Sequence, residues 1–164
     1  MTELLYKVDK RDRILGSIER DNAHEKGVLH RSGVVFLVRS DGKILVPWRN
    51  EKKKTFPNCY ECSASFHVTF GETYKQAAER ELEEETGVTA PVRYLGKFTH
   101  FDYPENEIVA VFYAKSDDKI TLDPSEADYA SFYSIRRVDQ IANSDKAAPW
   151  FKGSWKIARD RIRP

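Results

Sequence analysis

Cysteine is scarce in this chain, with two residues in 164. Both belong to a lone Cys59-x-x-Cys62, with no second pair to complete a zinc site. The motif follows Phe56-Pro57-Asn58 and lies in a strand-like run, not at the start of a helix as in redox motifs. Two ordinary buried or half-buried thiols in a reducing compartment are expected. Net charge is scarce too, because 27 basic and 26 acidic residues leave only +1. That balance gives no broad electrostatic footprint for nucleic acid or membrane, so phosphate binding must be local. No apolar run reaches the ~18 residues of a membrane span. Met1 to Arg13 is already charged and does not read as a signal peptide. A cytoplasmic protein is expected, with neither nucleic acid nor membrane as partner. Internal repeats and low-complexity linkers are also absent. The length suits one domain with a real core, spanning residues 1–164.

What is abundant is acid, concentrated in Gly71 to Val88. Thr73 with Gln76 three residues on reads as a capping box, and Gly87 can close the helix in the left-handed conformation. Five glutamates lie between: Glu79, Glu81, Glu83, Glu84 and Glu85. Carboxylates at i,i+4 repel, and at a helix C-terminus they oppose the macrodipole. At about 100° per residue, Tyr74, Ala77, Ala78 and Leu82 form the buried stripe. Glu85 falls inside that stripe, Glu81 beside it and Glu84 on its flank. Glu79 and Glu83 fall opposite, with Lys75 and Gln76. An inward carboxylate trio without a cation is costly. The pattern therefore points to a divalent ion on Glu81, Glu84 and Glu85, and all-oxygen ligands suit Mg2+ or Mn2+.

Elsewhere, Leu4 to Val8 and Ile14 to Glu19 read as strands forming an N-terminal pair, and residues 1–30 comprise this pair and a connecting segment with one helical turn after Arg20. Gly33 to Val38 reads as a buried strand, followed by an Asp41-Gly42 hairpin turn and a return strand from Ile44 to Trp48. Beyond the acidic helix, Val92 to Phe101 and Glu107 to Ala114 read as long strands joined near Pro104. Tyr129 to Ile135 reads as a strand and Arg137 to Ala142 as a short helix, closing a core of residues 31–142. Residues 143–164 hold a C-terminal helix from Trp150 to Ile162. Strands grouped around a few helices suggest a mixed sheet with helices on both sides.

Glu72, seven residues, then Arg80-Glu81-Leu82-x-Glu84-Glu85-x-Gly87-Val88 resembles the Nudix signature. The resemblance implies an α/β/α sandwich with a mixed β-sheet and Mg2+-dependent cleavage of a diphosphate linked to another moiety. It assigns Glu81, Glu84 and Glu85 as metal ligands, one of them a candidate general base, with Arg80 and Glu72 as supports. Where the signature opens with Gly, which permits close backbone approach, this chain has Phe66.

From Val8 to Val138 the chain is most similar to the branch containing isopentenyl-diphosphate isomerase and its hydrolase relatives. That resemblance places His24, His30, His67, Glu105 and Glu107 around a metal, and assigns Arg49 and Lys53 to a diphosphate. Lys52 and Lys54 flank Lys53 in the same basic loop. Glu126, ahead of the Tyr129 strand, is a further candidate for assisting metal or base. Phe101, Tyr103 and Trp150 are candidates to stack on a base. The isomerase pattern also needs a cysteine two residues before His67, where this chain has Ser65, a poor acid at neutral pH. Cys62 is expected on the opposite face of the strand from Ser65. The expected activity is Nudix hydrolysis of a small-molecule diphosphate. An isomerase-like enzyme and a non-catalytic diphosphate-binding module are the alternatives. A homodimer is compatible with this reading.

Overall fold

The apolar run Gly33–Val38 has no polar face to offer water, and the sheet is built around it. The computed structural model describes residues 2–162; Met1, Arg163 and Pro164, the outermost residues of the expected domain, lie outside the described residues. The elements in order are β1 (Leu4–Val8), β2 (Ile14–Glu19), α1 (Arg20–Glu25), β3 (His30–Val38), β4 (Ile44–Arg49) and β5 (Ala64–His67). They continue as α2 (Tyr74–Thr86), β6 (Arg93–Asp102), β7 (Glu105–Lys115), β8 (Ala127–Tyr133), α3 (Ile135–Ala142) and α4 (Phe151–Ala158).

Every residue of β3 except Arg31 is buried. Along it, Val34, Phe36 and Val38 pack with α3 and α4, while Val35 and Leu37 pack with α2. The period-2 alternation of a strand thus feeds two cores, and the chain folds as an α/β/α sandwich. β3 pairs with β7 in parallel from His30–Glu107 to Val38–Lys115. Its other edge is shared by β1, β5 and β4, all antiparallel. β2, β6 and β8 extend the mixed sheet beyond β1, β7 and β4. Among the described residues no helix is long and apolar enough to cross a membrane.

α2 has the expected ends. Thr73 and Gln76 form the capping box, and Gly87 closes the helix at φ 71°. Ala77, Ala78 and Leu82 are buried, as the wheel requires. Most strand limits differ from the sequence reading by one to three residues, and three of the differences bear on the site or its caps. β3 starts at His30, which pairs with Glu107 in the parallel ladder, and β7 at Glu105, which pairs with Asp102 of β6, so polar residues are carried into both ladders. β8 ends at Tyr133, not Ile135, because Ser134 accepts the Arg137 N–H and caps α3.

Phe66 creates no strain in the Gly position it occupies. It is an extended strand residue, 5% exposed, and its ring covers β3 at Gly33. A Cβ on Gly33 would lie 2.4 Å from the Phe66 ring, so the glycine that permits close approach has moved to the neighbouring strand. Cys59 and Cys62 are buried free thiols, as expected. The placement of Cys62 differs from expectation. It packs with Val34 on the α4 side, the face that Ser65 shares through its pairing with Val34. The alternation from Ser65 does not extend to Cys62, because β5 starts only at Ala64.

Candidate metal and diphosphate site

The acids of α2 are not equivalent. Arg80 is a hub, donating Nε to Glu72 at 2.7 Å, Nη2 to Glu72 at 3.0 Å, Nη1 to Glu81 at 2.6 Å and Nη1 to Glu84 at 3.3 Å. Its guanidinium holds the Glu72 carboxyl below the usual range. Part of the cation that the acidic helix demands is therefore Arg80 itself. Glu84 corrects the expected inward trio: its side chain is 58% exposed, because a flank position on the wheel lies outside the packed stripe. Glu79 departs from the expected solvated face, accepting the Val92 N–H at 3.3 Å. Glu85 has no such cation. The one hydrogen bond to its carboxylate among the described residues comes from the Ser65 N–H at 3.4 Å. Burial, then Glu81 and Glu126, push its carboxyl well above the ordinary value. Burial also raises Glu81, against the pull of Arg80.

A second cluster lies on the α4 face of the sheet. Residues paired directly across strands share a face, so His30–Glu107, Ser32–His67 and Val34–Ser65 present these side chains together. Glu105, two residues before Glu107 on β7, joins them, and α1 supplies His24. Ligand atoms of His24, His30, His67 and Glu105 all lie within 4.8 Å of one another. His24 Nε2 and His67 Nε2 face each other at 3.3 Å, and His24 Nε2 is 3.6 Å from Glu105. Glu107 Oε1 is 3.2 Å from His67 Nε2 and 3.4 Å from His30 Nε2. Burial alone would raise the Glu107 carboxyl, but the two imidazoles outweigh it and hold the carboxyl well below its usual range. Burial and then Glu107 push Glu105 up to about 7, while burial and the neighbouring imidazoles pull His24 down to about 4. Among the described residues His30 Nε2 is buried with no well-aligned hydrogen bond, Glu107 Oε1 lying beside it at 3.4 Å. A nitrogen so placed among imidazoles and carboxylates fits a divalent cation.

The second cluster opens on a cavity that the α2 acids reach only through Ser65. This cavity of about 490 Å³ is lined by His24, His67, Glu105, Glu107, Ser65 and Glu126, with Lys52, Lys53 and Lys54 along its edge. Ser65 ties this cavity to Glu85, whereas Glu81 and Glu84 do not line it. Lys53 Nζ meets Glu126 Oε2 at 2.5 Å. Arg49 lines the cavity but is 8% exposed, so it is not part of a solvated basic loop. It donates to Phe56 O, Thr55 O and Glu61, all at 2.9 Å. Trp150 forms cavity wall and donates Nε1 to Glu61 at 2.7 Å. Phe101 and Tyr103 are exposed at the β6–β7 hairpin tip.

Ser32, Arg20 and Glu61 line or support the cavity and were missed in the sequence. Glu61 had a readable signal, an acid flanked by the two buried thiols, which requires a partner. Arg20 had none, since nothing local distinguishes it from other surface arginines.

Fold and clusters together define a mixed α/β domain in which a His/Glu group that could hold a metal ion opens on one cavity. The NUDIX domain family matches residues 28–154, and the chain belongs to that family. It is 39% identical over 132 residues to an uncharacterized Nudix hydrolase of Pseudomonas aeruginosa, covering 79% of this chain and 78% of that one. It is 30% identical over 158 residues to an isopentenyl-diphosphate Delta-isomerase of Serratia proteamaculans, covering 92% and 88%. Among solved structures, a Deinococcus radiodurans protein superposes with a TM-score of 0.80 at 27% identity, covering 95% of this chain and 99% of that one.

Proposed function

We propose that the protein is a Mg2+- or Mn2+-dependent hydrolase that cleaves the diphosphate linkage of a nucleoside diphosphate derivative or a similar small molecule. The observation that carries this reading is Glu85. It is a shielded carboxylate without a cation, joined through Ser65 to a cavity edged by three lysines. Glu81 and Glu85 would hold the ion, with Glu84 on its solvent side and Arg80 fixing Glu81 and Glu84 in place. A divalent ion there would supply neutralisation of diphosphate charge and a water of lowered pKa, and a carboxylate of the same helix would be placed to take up a proton. His24, His30, His67, Glu105 and Glu107 would hold a further cation in the cavity. Lys53 meets a phosphate as a point charge.

The complete His/Glu cluster also favours a second reading, isomerisation of isopentenyl diphosphate, the activity named for the Serratia relative. That chemistry needs an acid beside the alkene, where this chain has Ser65. Incubating the protein with Mg2+ and a panel of nucleoside diphosphate derivatives, dinucleotides and prenyl diphosphates separates the two. Release of phosphate or nucleotide, lost in EDTA, is expected. No release from any of them with Mg2+ or Mn2+ would overturn the hydrolase.

A further inference from the structure

Lys53 and Glu126 face each other across the cavity edge at 2.5 Å, with side chains 22% and 33% exposed. The backbone around them is tied down. Asn50 donates its N–H to Glu126 O at 2.9 Å and its amide to Pro124 O and Asp128 at 3.0 and 2.7 Å. Lys53 N–H donates to Asn50 O, and Glu126 N–H to Asp123 O. Any rearrangement here is therefore a swing of side chains, not of the loop. The neighbouring Arg49 is locked to Glu61 and two carbonyls, which leaves Lys53, a flexible stem with a point charge beside Lys52 and Lys54, as a movable cation that is already paired with a cavity acid.

We propose that Lys53 is an exchangeable counter-ion: it pairs with Glu126 before substrate binds, moves to the diphosphate when substrate enters, and so frees Glu126 to join the cation ligands of α2. The proposal rests on the diphosphate reading given above. A diphosphate carries more negative charge than one carboxylate and competes for the same ammonium group. Glu126 lies beside the end of α2: its N–H donates to Asp123 O at 3.0 Å, and the Asp123 N–H donates to Glu85 O at 3.2 Å. Once unpaired, its charge is available to an ion held there. Substrate and metal are thereby linked, since each removes an obstacle to the other.

The test is calorimetric titration with methylenediphosphonate, which cannot be hydrolysed at its bridging carbon, in EDTA. Wild type, Lys53→Met, Glu126→Gln and the double variant are compared after thermal unfolding has shown each to be folded. Glu126→Gln should bind roughly fivefold tighter than wild type, the factor set by a partly exposed ion pair. Lys53→Met should bind more weakly, and in its background the gain from Glu126→Gln should vanish. In the absence of diphosphonate, Lys53→Met should bind Mn2+ more tightly than wild type, read as the loss of the free Mn2+ electron-spin signal. A Glu126→Gln gain that persists in the double variant overturns the exchange, because it is then plain removal of a repelling charge; the diphosphate reading survives that result. A wild-type protein that fails to bind diphosphonate even with Mn2+ overturns both.

Discussion

His30 Nδ1 lies 2.8 Å from the carbonyl oxygen of Val28, which can only accept, so Nδ1 carries a hydrogen and Nε2 is left for a proton or a cation. Fixing one ring nitrogen by a backbone contact orients the other towards Glu107. Proton and cation then compete for the same cluster.

That competition gives a pH dependence. Without a cation, Glu105 titrates at about 7 rather than 4.5, so it stabilises the fold at low pH, and that contribution is lost as pH rises through about 7. A bound cation should replace it. The gain in Tm on adding Mn2+ should grow between about pH 6 and 8, and Mn2+ affinity should fall roughly tenfold per pH unit below 7 for each proton displaced. Affinity that does not change across this window would remove the cluster as a cation site.

Glu85 and Glu83 should part sharply on neutralisation. Glu85→Gln should abolish metal-dependent turnover while raising the Tm of the metal-free protein, because a shielded unpaired charge disappears. Glu83, exposed on the outer face, should leave both unchanged. Equal losses of kcat in the two variants would show that the helix acids act only through their summed charge.

Arg49 and Lys53 should also differ. Arg49→Ala strands Glu61 as a buried charge and should destabilise the protein by roughly 3–5 kcal/mol in denaturant unfolding. Lys53→Ala should change stability by less than about 1 kcal/mol and act on KM instead. Comparable unfolding midpoints for the two variants would contradict the buried role of Arg49.

Ser65 bears on the choice of chemistry. Wild type should incorporate no deuterium from heavy water into isopentenyl diphosphate. Ser65→Cys should not create that activity by itself, although Phe66 packs with the α2 core on the other face of β5 and does not crowd Ser65. Mass spectrometry of recovered substrate decides, and label in the wild-type product would reassign the enzyme to isomerisation.

The sequence by itself determined what depends on neighbours along the chain. The ends of α2 follow from Thr73, Gln76 and Gly87, because capping is a matter of three or four consecutive residues. The two-sided burial of β3 follows from its unbroken apolar run, and the buried side of α2 from its 3.6-residue period. The resemblance carried His24, His30, His67, Glu105 and Glu107 to one place, and the geometry brings them together. Charge pairing, in contrast, was decided only in three dimensions. That Arg80 supplies the counter-charge of Glu72, Glu81 and Glu84 while Glu85 has none depends on the angles at which side chains leave one helix. That Arg49 is locked to Glu61 while Lys53 holds Glu126 depends on which loops the sheet brings into contact. Electrostatic partners are chosen by distance and burial, and neither is written in the spacing of residues along a chain.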